Sequence, residues 1–266
     1  MVTVHKYHGL GNDFLLLEWK EPTFPSSEWF LKITDRNRGI GADGVLLLSP
    51  AEYQGERAVK MVIFNRDGSR PEMCGNGVRC VAAFAMRTWD YPTEFVVLSD
   101  GGPKQCAVVA ESDTLFQVGV DMGPAVLGEV VKYSALGGEK ELEVRKVDLG
   151  NPHGVIFESH PLDVIDAVGK EANDGHELFP EGVNLEFVTP AESGFHVVVY
   201  ERGVGRTKAC GTGACAVAAA AWKDERSSRE STPIELPGGV LTITPFEDGL
   251  WMEGPAEFLF TTVWDR

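Results

Sequence analysis

Two short runs of β-branched and aromatic residues each lead through turn residues into an alanine-rich segment. The runs at 60–64 and 195–200 predict strands, because such residues favour extended structure and are followed by turn formers. The segments at 78–89 and 214–222 are apolar nearly all round, which is typical of a helix buried on every face. The pattern therefore predicts a strand, a turn and a buried helix twice along the chain.

These elements belong to an internal repeat with an offset of 136 residues. Residues 64–83 align with residues 200–219, and eight aligned positions are identical, including Cys74 and Cys210. Weaker matches are Gly-Asn at 11 and 150, Gly-Val at 44 and 182, and Gly-Gly at 101 and 238. A repeat of this kind predicts two related half-domains.

Short apolar runs that predict strands occupy much of the remaining chain. They lie at 95–98, 107–110, 115–120, 155–157, 185–188, 234–236, 241–244 and 257–262. Helices are too few for parallel βαβ winding, so we predict an α+β fold. Two pseudo-symmetric half-domains would each wrap a mixed, barrel-like β-sheet around a central buried helix, with the active site in the cleft between them. We expect residues 1–123, completed by 255–266, to form the N-terminal half-domain and residues 124–254 the C-terminal one.

The acidic composition narrows the range of partners. The chain has 266 residues, with 24 Lys and Arg against 40 Asp and Glu, for a formal net charge of −16. This charge repels phosphate backbones and anionic lipids, so we expect no nucleic acid partner and no membrane partner. The longest small-apolar run, 209–222, is too short to span a bilayer, and the first residues lack a signal-peptide pattern. We therefore expect a cytoplasmic protein.

Cys74 and Cys210 are the candidate catalytic residues, because each stands at the first turn of a predicted helix. A helix N-terminus stabilises a thiolate and is expected to lower the pKa of the thiol. The glycines that follow expose backbone N–H groups, which can hold a carboxylate and an enediolate-like transition state. A thiolate and a thiol on opposite sides of a carbon can remove a proton from one face and return one to the other. The residues thus indicate two-base racemisation of a small molecule.

Cys80, Cys106 and Cys215 are interpreted as small buried hydrophobic residues. An odd count of five cysteines without paired spacing favours free thiols in a reducing compartment. The sequence has no dinucleotide-binding glycine fingerprint and no sign of a pyridoxal phosphate lysine, so we predict no cofactor and no metal.

Short motifs in a fixed order link the sequence to a known family. They are His-Gly-Leu-Gly-Asn-Asp-Phe at 8–14, Gly-Ile-Gly-Ala-Asp-Gly at 39–44, Phe-Asn-Arg-Asp-Gly-Ser at 64–69, Met-Cys-Gly-Asn-Gly-Val-Arg-Cys at 73–80, Gly-Asn-Pro-His at 150–153, Gly-Val-Asn at 182–184, Tyr-Glu-Arg-Gly at 200–203 and Ala-Cys-Gly-Thr-Gly at 209–213. With these motifs the chain resembles diaminopimelate epimerase over nearly its whole length. The resemblance implies a cofactor-independent enzyme that interconverts LL- and meso-2,6-diaminopimelate in lysine and peptidoglycan precursor biosynthesis.

The resemblance also implies roles for individual residues. Cys74 and Cys210 match the two catalytic bases, one for each face of the substrate's α-carbon. His153 and Glu201 match polar neighbours that tune the thiols. The positions similar to the family's substrate-contacting residues are Asn12, Asn65, Gly75, Asn76, Asn151, Asn184, Glu201, Arg202, Gly211 and Thr212.

Three of these residues suit the distal ammonium and carboxylate of the substrate. They are Asn65, Asn184 and Arg202, the last through a bidentate carboxylate contact. Gly44 stands where many members of the family carry glutamine, so we expect no side-chain hydrogen bond to substrate from that position. The sequence leaves a homodimer open.

Three alternatives remain open. A proline or hydroxyproline racemase relative, or a phenazine-type isomerase, would share the architecture and differ at the motifs. A thiol–disulfide redox protein or a zinc site is disfavoured, because the cysteine spacings 74 to 80 and 210 to 215 are not Cys-x-x-Cys. A non-catalytic protein would bind a ligand in the cleft without exchanging solvent protons. If the cleft is tight, oxidation is expected to join Cys74 to Cys210 and to abolish activity until reductant is added.

Overall fold

Four α-helices and sixteen strands are present in the computed structural model, which describes residues 1–265. The helices are α1 (Ser27–Thr34), α2 (Gly75–Trp89), α3 (Leu162–Asn173) and α4 (Gly211–Lys223). The strands are β1 (Val2–Gly9), β2 (Asn12–Glu18), β3 (Gly44–Tyr53), β4 (Glu56–Asn65), β5 (Glu94–Ser99), β6 (Gly102–Glu111), β7 (Leu115–Gly123), β8 (Val126–Ala135), β9 (Lys140–Asp148), β10 (Pro152–Ile156), β11 (Asn184–Pro190), β12 (Phe195–Glu201), β13 (Gly205–Thr207), β14 (Thr232–Leu236), β15 (Gly239–Phe246) and β16 (Gly249–Trp264). None of the helices described is long and apolar enough to cross a bilayer.

The chain divides into two compact units. Unit 1 consists of Met1–Asp121 and the chain from Glu253 onwards, and unit 2 is Met122–Met252. The boundaries expected from the sequence, after residues 123 and 254, lie two residues from those of the structure. Strand β16 therefore contributes its first residues to unit 2 and the rest to unit 1.

Unit 1 is a closed β-barrel. Its strands follow one another in the order β1 to β7 and then β16, which pairs with β1 and completes the ring. The β2–β3 and β4–β5 pairs are parallel, whereas β1–β2, β3–β4, β5–β6, β6–β7 and β1–β16 are antiparallel. The sheet is therefore mixed.

Helix α2 is the core of this barrel and contacts the strands from β1 to β6. Residues 75–85 of the helix are all buried, which explains why the sequence is apolar nearly all round. The helix ends where Asp90 adopts a left-handed conformation (φ 52°) and its N–H donates to the carbonyl of Ala85. The cysteine at its other end is thereby fixed to a rigid element.

Unit 2 also has a sheet around a central helix, formed by different strands. Its sheet runs in the order β15, β14, β12, β11, β10, β9 and β8, with β13 beside β12. Helix α4 contacts β9, β10, β11, β14 and β15, and every residue from 211 to 221 except Thr212 is buried. Six of the eight residues 214–221 are alanine, and such small side chains let the strands approach the helix closely.

The pairing pattern is the same in both units. From β1 to β6 the pairs alternate antiparallel and parallel, and the strands β9, β10, β11, β12, β14 and β15 alternate in the same way. The central helices α2 and α4 follow the corresponding strands β4 and β12. The predicted α+β fold with two pseudo-symmetric halves is confirmed.

Helices α1 and α3 were not predicted. Helix α1 is short and follows its N-cap residue Ser26, whose hydroxyl accepts a hydrogen bond from the N–H of Trp29. Helix α3 contains Gly169, where a Cβ atom would lie 2.2 Å from Cγ of Tyr200. This glycine lowers the helix propensity of the segment but allows the helix to pack directly on β12.

Candidate active site

Cys74 is the N-terminal cap of α2 and lies in unit 1. Its backbone is extended (φ −147°, ψ 113°), and its carbonyl accepts the first helical hydrogen bond from the N–H of Val78 at 2.9 Å. The thiol is partly buried, and Sγ lies 3.9 Å from Oδ1 of Asn12. The predicted position of the thiol at a helix N-terminus is therefore observed.

Hydrogen bonds fix the side chain of Asn12 beside this thiol. Its Nδ2 donates to Oδ2 of Asp43 at 3.1 Å, so Oδ1 faces the other way and accepts from Nδ2 of Asn76 at 3.1 Å. The Oδ1 atom of Asn76 in turn accepts from Nη2 of the fully buried Arg79 at 2.8 Å. The structure thus brings Asn12, Asn76 and Cys74 together.

An ion-pair cluster lies behind Asn12. Arg36 donates to both carboxylate oxygens of Asp13 and to Oδ1 of Asp43, and Lys6 lies 2.9 Å from Asp13. Burial works to raise the pKa of Asp13, but the hydrogen bonds from Arg36 and Lys6 outweigh it and lower the pKa to about 2. Arg36 therefore holds Asp43, the side chain that fixes Asn12.

Cys210 is the N-terminal cap of α4 and lies in unit 2. Its Sγ accepts a hydrogen bond from the N–H of Gly213 at 3.4 Å and lies 3.5 Å from Oγ1 of Thr212. The expected lowering of its pKa is wrong. Burial raises the pKa of this thiol well above 9.0, the carboxyl groups of Glu201 and Glu186 raise it further, and the hydrogen bonds from Thr212 and Gly213 are outweighed.

A chain of side chains leads from this thiol into the interior. Nδ2 of Asn151 donates to Oγ1 of Thr212 at 3.4 Å, and Oδ1 of Asn151 lies 3.1 Å from Nε2 of His153. Nδ1 of His153 lies 2.7 Å from Oε1 of Glu186, and both side chains are fully buried. The predicted residues Asn151, His153 and Thr212 are therefore linked to Cys210.

Glu186 was missed in the sequence. It lies in the middle of β11, a strand whose residues 184–188 are all buried. Burial raises its pKa, while His153 acts in the opposite direction. A carboxyl residue inside an otherwise apolar strand pattern is itself a signal, because such groups are almost never fully buried without a partner.

Glu201 ends β12, and Arg202 follows it near Asn184. The carboxylate of Glu201 accepts a hydrogen bond from the hydroxyl of Thr207, and burial raises its pKa. The N–H of Arg202 donates to Oδ1 of Asn184 at 2.9 Å, and its Nη1 donates to the carbonyl of Glu181 at 3.0 Å. The hydrogen bond from Arg202 to Asn184 joins two of the predicted residues in unit 2.

Asn65 has a different environment in unit 1. It ends β4 and is exposed, and its Nδ2 donates to Oγ of Ser69 at 2.9 Å across a turn. Its proposed contact with substrate stays a prediction.

The other cysteines have the environment of core residues. Cys80, Cys106 and Cys215 are buried free thiols. Burial raises the pKa of Cys106 to about 12 and raises that of Cys80 as well. Within residues 1–265, no group of three or more His, Cys, Asp or Glu side chains is arranged to hold a metal ion.

Comparison with known proteins gives a family match over both units. The family model described as diaminopimelate epimerase matches residues 4–128 and 145–259. The diaminopimelate epimerase of Synechococcus elongatus is 40% identical, over 96% of this chain and 95% of that protein. The diaminopimelate epimerase of Bacillus cytotoxicus is 38% identical, over 98% of this chain and 96% of that protein.

Solved structures share the fold at much lower identity. A PhzF-family phenazine biosynthesis protein from Bacillus anthracis is 12% identical with a TM-score of 0.73, covering 98% of each chain. A hydroxyproline epimerase from Agrobacterium vitis is 16% identical with a TM-score of 0.67, covering 99% of this chain and 89% of that one. At these identities the likeness concerns the fold alone.

Proposed function

The chain belongs to the diaminopimelate epimerase family, and we propose that it interconverts LL- and meso-2,6-diaminopimelate by a two-base mechanism. The observation that carries the proposal is the placement of Cys74 and Cys210. Each cysteine is the N-cap residue of a buried helix at equivalent points of two related units, and its thiol lies beside an asparagine or threonine side chain. In this position each sulfur can act as a proton carrier.

In the proposed reaction, one cysteine starts as a thiolate and the other as a thiol. The thiolate takes the α-proton, and the electrons of the C–H bond pass into the neighbouring carboxylate to give an enediolate-like state. The thiol then delivers its proton to the opposite face of the same carbon. The stereocentre is inverted, and the two sulfurs have exchanged protonation states. Because the two thiols supply both the base and the acid, we propose that no cofactor takes part.

Backbone donors suit the reacting carboxylate. The first N–H groups of each helix have no partner within the helix, and the residues there are Gly75 and Asn76 in α2 and Gly211 and Thr212 in α4. Directed at the carboxylate, they would stabilise the charge that develops on its oxygens.

The distal end of the substrate carries a second ammonium and a second carboxylate. We assign its recognition to Asn65, Asn184 and Arg202. The backbone N–H of Arg202 is already tied to Asn184, which holds both groups in one place. A guanidinium contacts a carboxylate through two parallel hydrogen bonds, and this geometry selects for a substrate with an acid at its far end.

The setting of the enzyme is also proposed. We infer a cytoplasmic enzyme, because the five cysteines are all free thiols and a reducing compartment keeps them so. We propose that the partner of the protein is a small-molecule amino-acid substrate. The sequence leaves a homodimer open.

Deuterium incorporation tests the proposed function. Reduced enzyme in D₂O is expected to place deuterium at the α-carbon of LL-diaminopimelate while forming the meso isomer. Cys74→Ala and Cys210→Ala are expected to lose epimerisation, with the buried Cys106→Ala as the control. Proline and hydroxyproline serve as competing substrates. Exchange with either of these and none with diaminopimelate would overturn the assignment.

A further inference from the structure

The two units differ at one equivalent position beside their cysteines. Leu46 on β3 pairs with Leu16 on β2, and Glu186 on β11 pairs in the same register with Val155 on β10. The nearest atoms to a Cβ built on Gly77 belong to the side chain of Leu46. The nearest atom to a Cβ built on Gly213 is Oε1 of Glu186, at 2.8 Å. One half therefore has a leucine beneath its cysteine helix, and the other has a carboxyl group.

The hydrogen bonds that link Glu186 to Cys210 have a direction. A side-chain carbonyl only accepts, so Nε2 of His153 carries a proton and donates it to Oδ1 of Asn151. Nδ2 of Asn151 then donates to Oγ1 of Thr212. The proton of the Thr212 hydroxyl is left to point at Sγ, 3.5 Å away.

Donor and acceptor roles also locate the proton between His153 and Glu186. Oε2 of Glu186 is buried and has no hydrogen-bond partner among residues 1–265. A carboxylate would leave that oxygen charged and unpaired, which is costly inside a protein. A neutral acid leaves only a carbonyl oxygen there and donates its proton from Oε1 to Nδ1 of His153. Burial, which raises the pKa of Glu186, acts in the same direction.

We propose that Glu186 is a positioning residue. As a neutral acid it keeps His153 in the Nε2–H form, and through Asn151 and Thr212 it directs a hydroxyl proton at the sulfur of Cys210. This donation stabilises the thiolate at a site where burial opposes it, and a neutral Glu186 does not exert the repulsion by which an ionised Glu186 raises the pKa of Cys210. The consequence for catalysis rests on the proposed function, whereas the effect on the thiol does not.

The test compares variants by alkylation of Cys210 across neutral to alkaline pH, with site-resolved mass spectrometry. Glu186→Gln keeps an N–H that can donate to Nδ1, and Glu186→Leu installs the residue of the other unit. Titratable neighbours that face Glu186 or the thiol are His153 on β10 and Glu201 on β12. We expect the pKa of Cys210 to rise in the leucine variant and to stay at the wild-type value in the glutamine variant.

A charged Glu186 would give the opposite result. Removal of a carboxylate near the sulfur would lower the pKa of Cys210 in both variants, and equal behaviour of the two variants in either direction overturns the proposal. The control is Glu235→Leu, which removes an exposed partner of Nδ1 of His196 in the same unit. If Glu186→Leu does not fold, Glu186→Met, which also lacks a donor, takes its place.

Kinetics supply a second readout. Glu186→Leu is expected to lower kcat by about tenfold, the kinetic equivalent of one net hydrogen bond, with little change in KM. Glu186→Gln is expected to restore most of that loss. A rise in KM at constant kcat would assign Glu186 to substrate binding and overturn the positioning role.

Discussion

Oδ2 of Asp43 accepts a hydrogen bond from the side-chain amide of Asn12 at 3.1 Å. Because an amide has its donor and acceptor on opposite arms, this one contact turns Oδ1 of Asn12 toward Cys74 and Asn76. Asp43 is itself held by Arg36 through Oδ1 at 2.7 Å. The orientation of an amide beside one thiol is thus set by an ion pair that does not touch the thiol.

Loss of the Asp43 carboxylate should slow catalysis, because this carboxylate holds Asn12. Asp43→Ala is expected to lower kcat by about tenfold, because Asn12 loses the contact that fixes its amide. The free energy of unfolding should change little, since Arg36 keeps its contacts with Asp13. Steady-state kinetics and urea denaturation measure the two effects. Glu141→Gln, which removes an exposed ion pair with Lys132, is the control, and equal kinetics in both variants would contradict the prediction.

Arg202 is expected to act on substrate affinity. Arg202→Lys keeps the positive charge but loses the two parallel donors that match a carboxylate, so KM should rise about tenfold while kcat is largely kept. The matched control is Arg206→Lys, four residues away, whose side chain pairs with Asp166. A fall in kcat with unchanged KM in Arg202→Lys would place this residue at the reacting carbon instead.

Glu201 is expected to hold down the reactivity of Cys210. Its carboxyl group is one cause of the raised pKa of that thiol. Glu201→Gln removes the negative charge, so the thiolate is favoured and the pKa should fall. Alkylation of Cys210 at alkaline pH should then be faster than in wild type, and the same sample reports Cys80 as an internal control. An unchanged rate at Cys210 would contradict the prediction.

Asp13 should make unit 1 sensitive to acid. Its pKa is about 2 in the folded state against the ordinary value of 3.8, so the folded protein binds fewer protons between these values than the unfolded chain. The stabilisation, about 2 kcal/mol, is present above about pH 4 and is lost as the pH falls toward about 2. Urea midpoints measured over this range should fall in wild type and fall less in Asp13→Asn.

The Asp13→Asn substitution should itself lower the stability of the protein. At neutral pH Asp13→Asn should be less stable than wild type, because the nearly buried Lys6 loses its counter-ion. Lys6→Met with Asp13→Asn is the control, since it removes both charges. A wild-type midpoint that does not change between about pH 4 and about pH 2 would contradict the assignment.

The sequence was sufficient to predict the central helices, and physical reasons explain the two that were missed. Six of the eight residues 214–221 of helix α4 are alanine, the residue with the highest helix propensity. Helix α3 depends on a contact between Gly169 and Tyr200, two residues far apart in the chain. A glycine reads as a helix breaker until its packing partner is known.

Some residues of the candidate site could be predicted from the sequence, and others could not. Cys74 and Cys210 could be found from the repeat, because both are fixed by local helix geometry. Arg36 and Glu186 could not, since their roles arise from tertiary contacts: Arg36 with Asp13 and Asp43, and Glu186 with His153. A charged residue looks the same in a sequence whether it faces water or holds a buried network.

Strand β16 gives the chain an order of assembly. Unit 2 is a continuous stretch, whereas the barrel of unit 1 needs β1 to pair with residues more than two hundred positions later, such as Val4 with Thr262. During synthesis, β1 to β7 leave the ribosome first. Their barrel lacks its eighth strand, β16, until unit 2 has been synthesised. Folding units generally form as soon as their residues are available. The half that is made first is therefore the half that is finished last, because its barrel closes only when β16 pairs with β1.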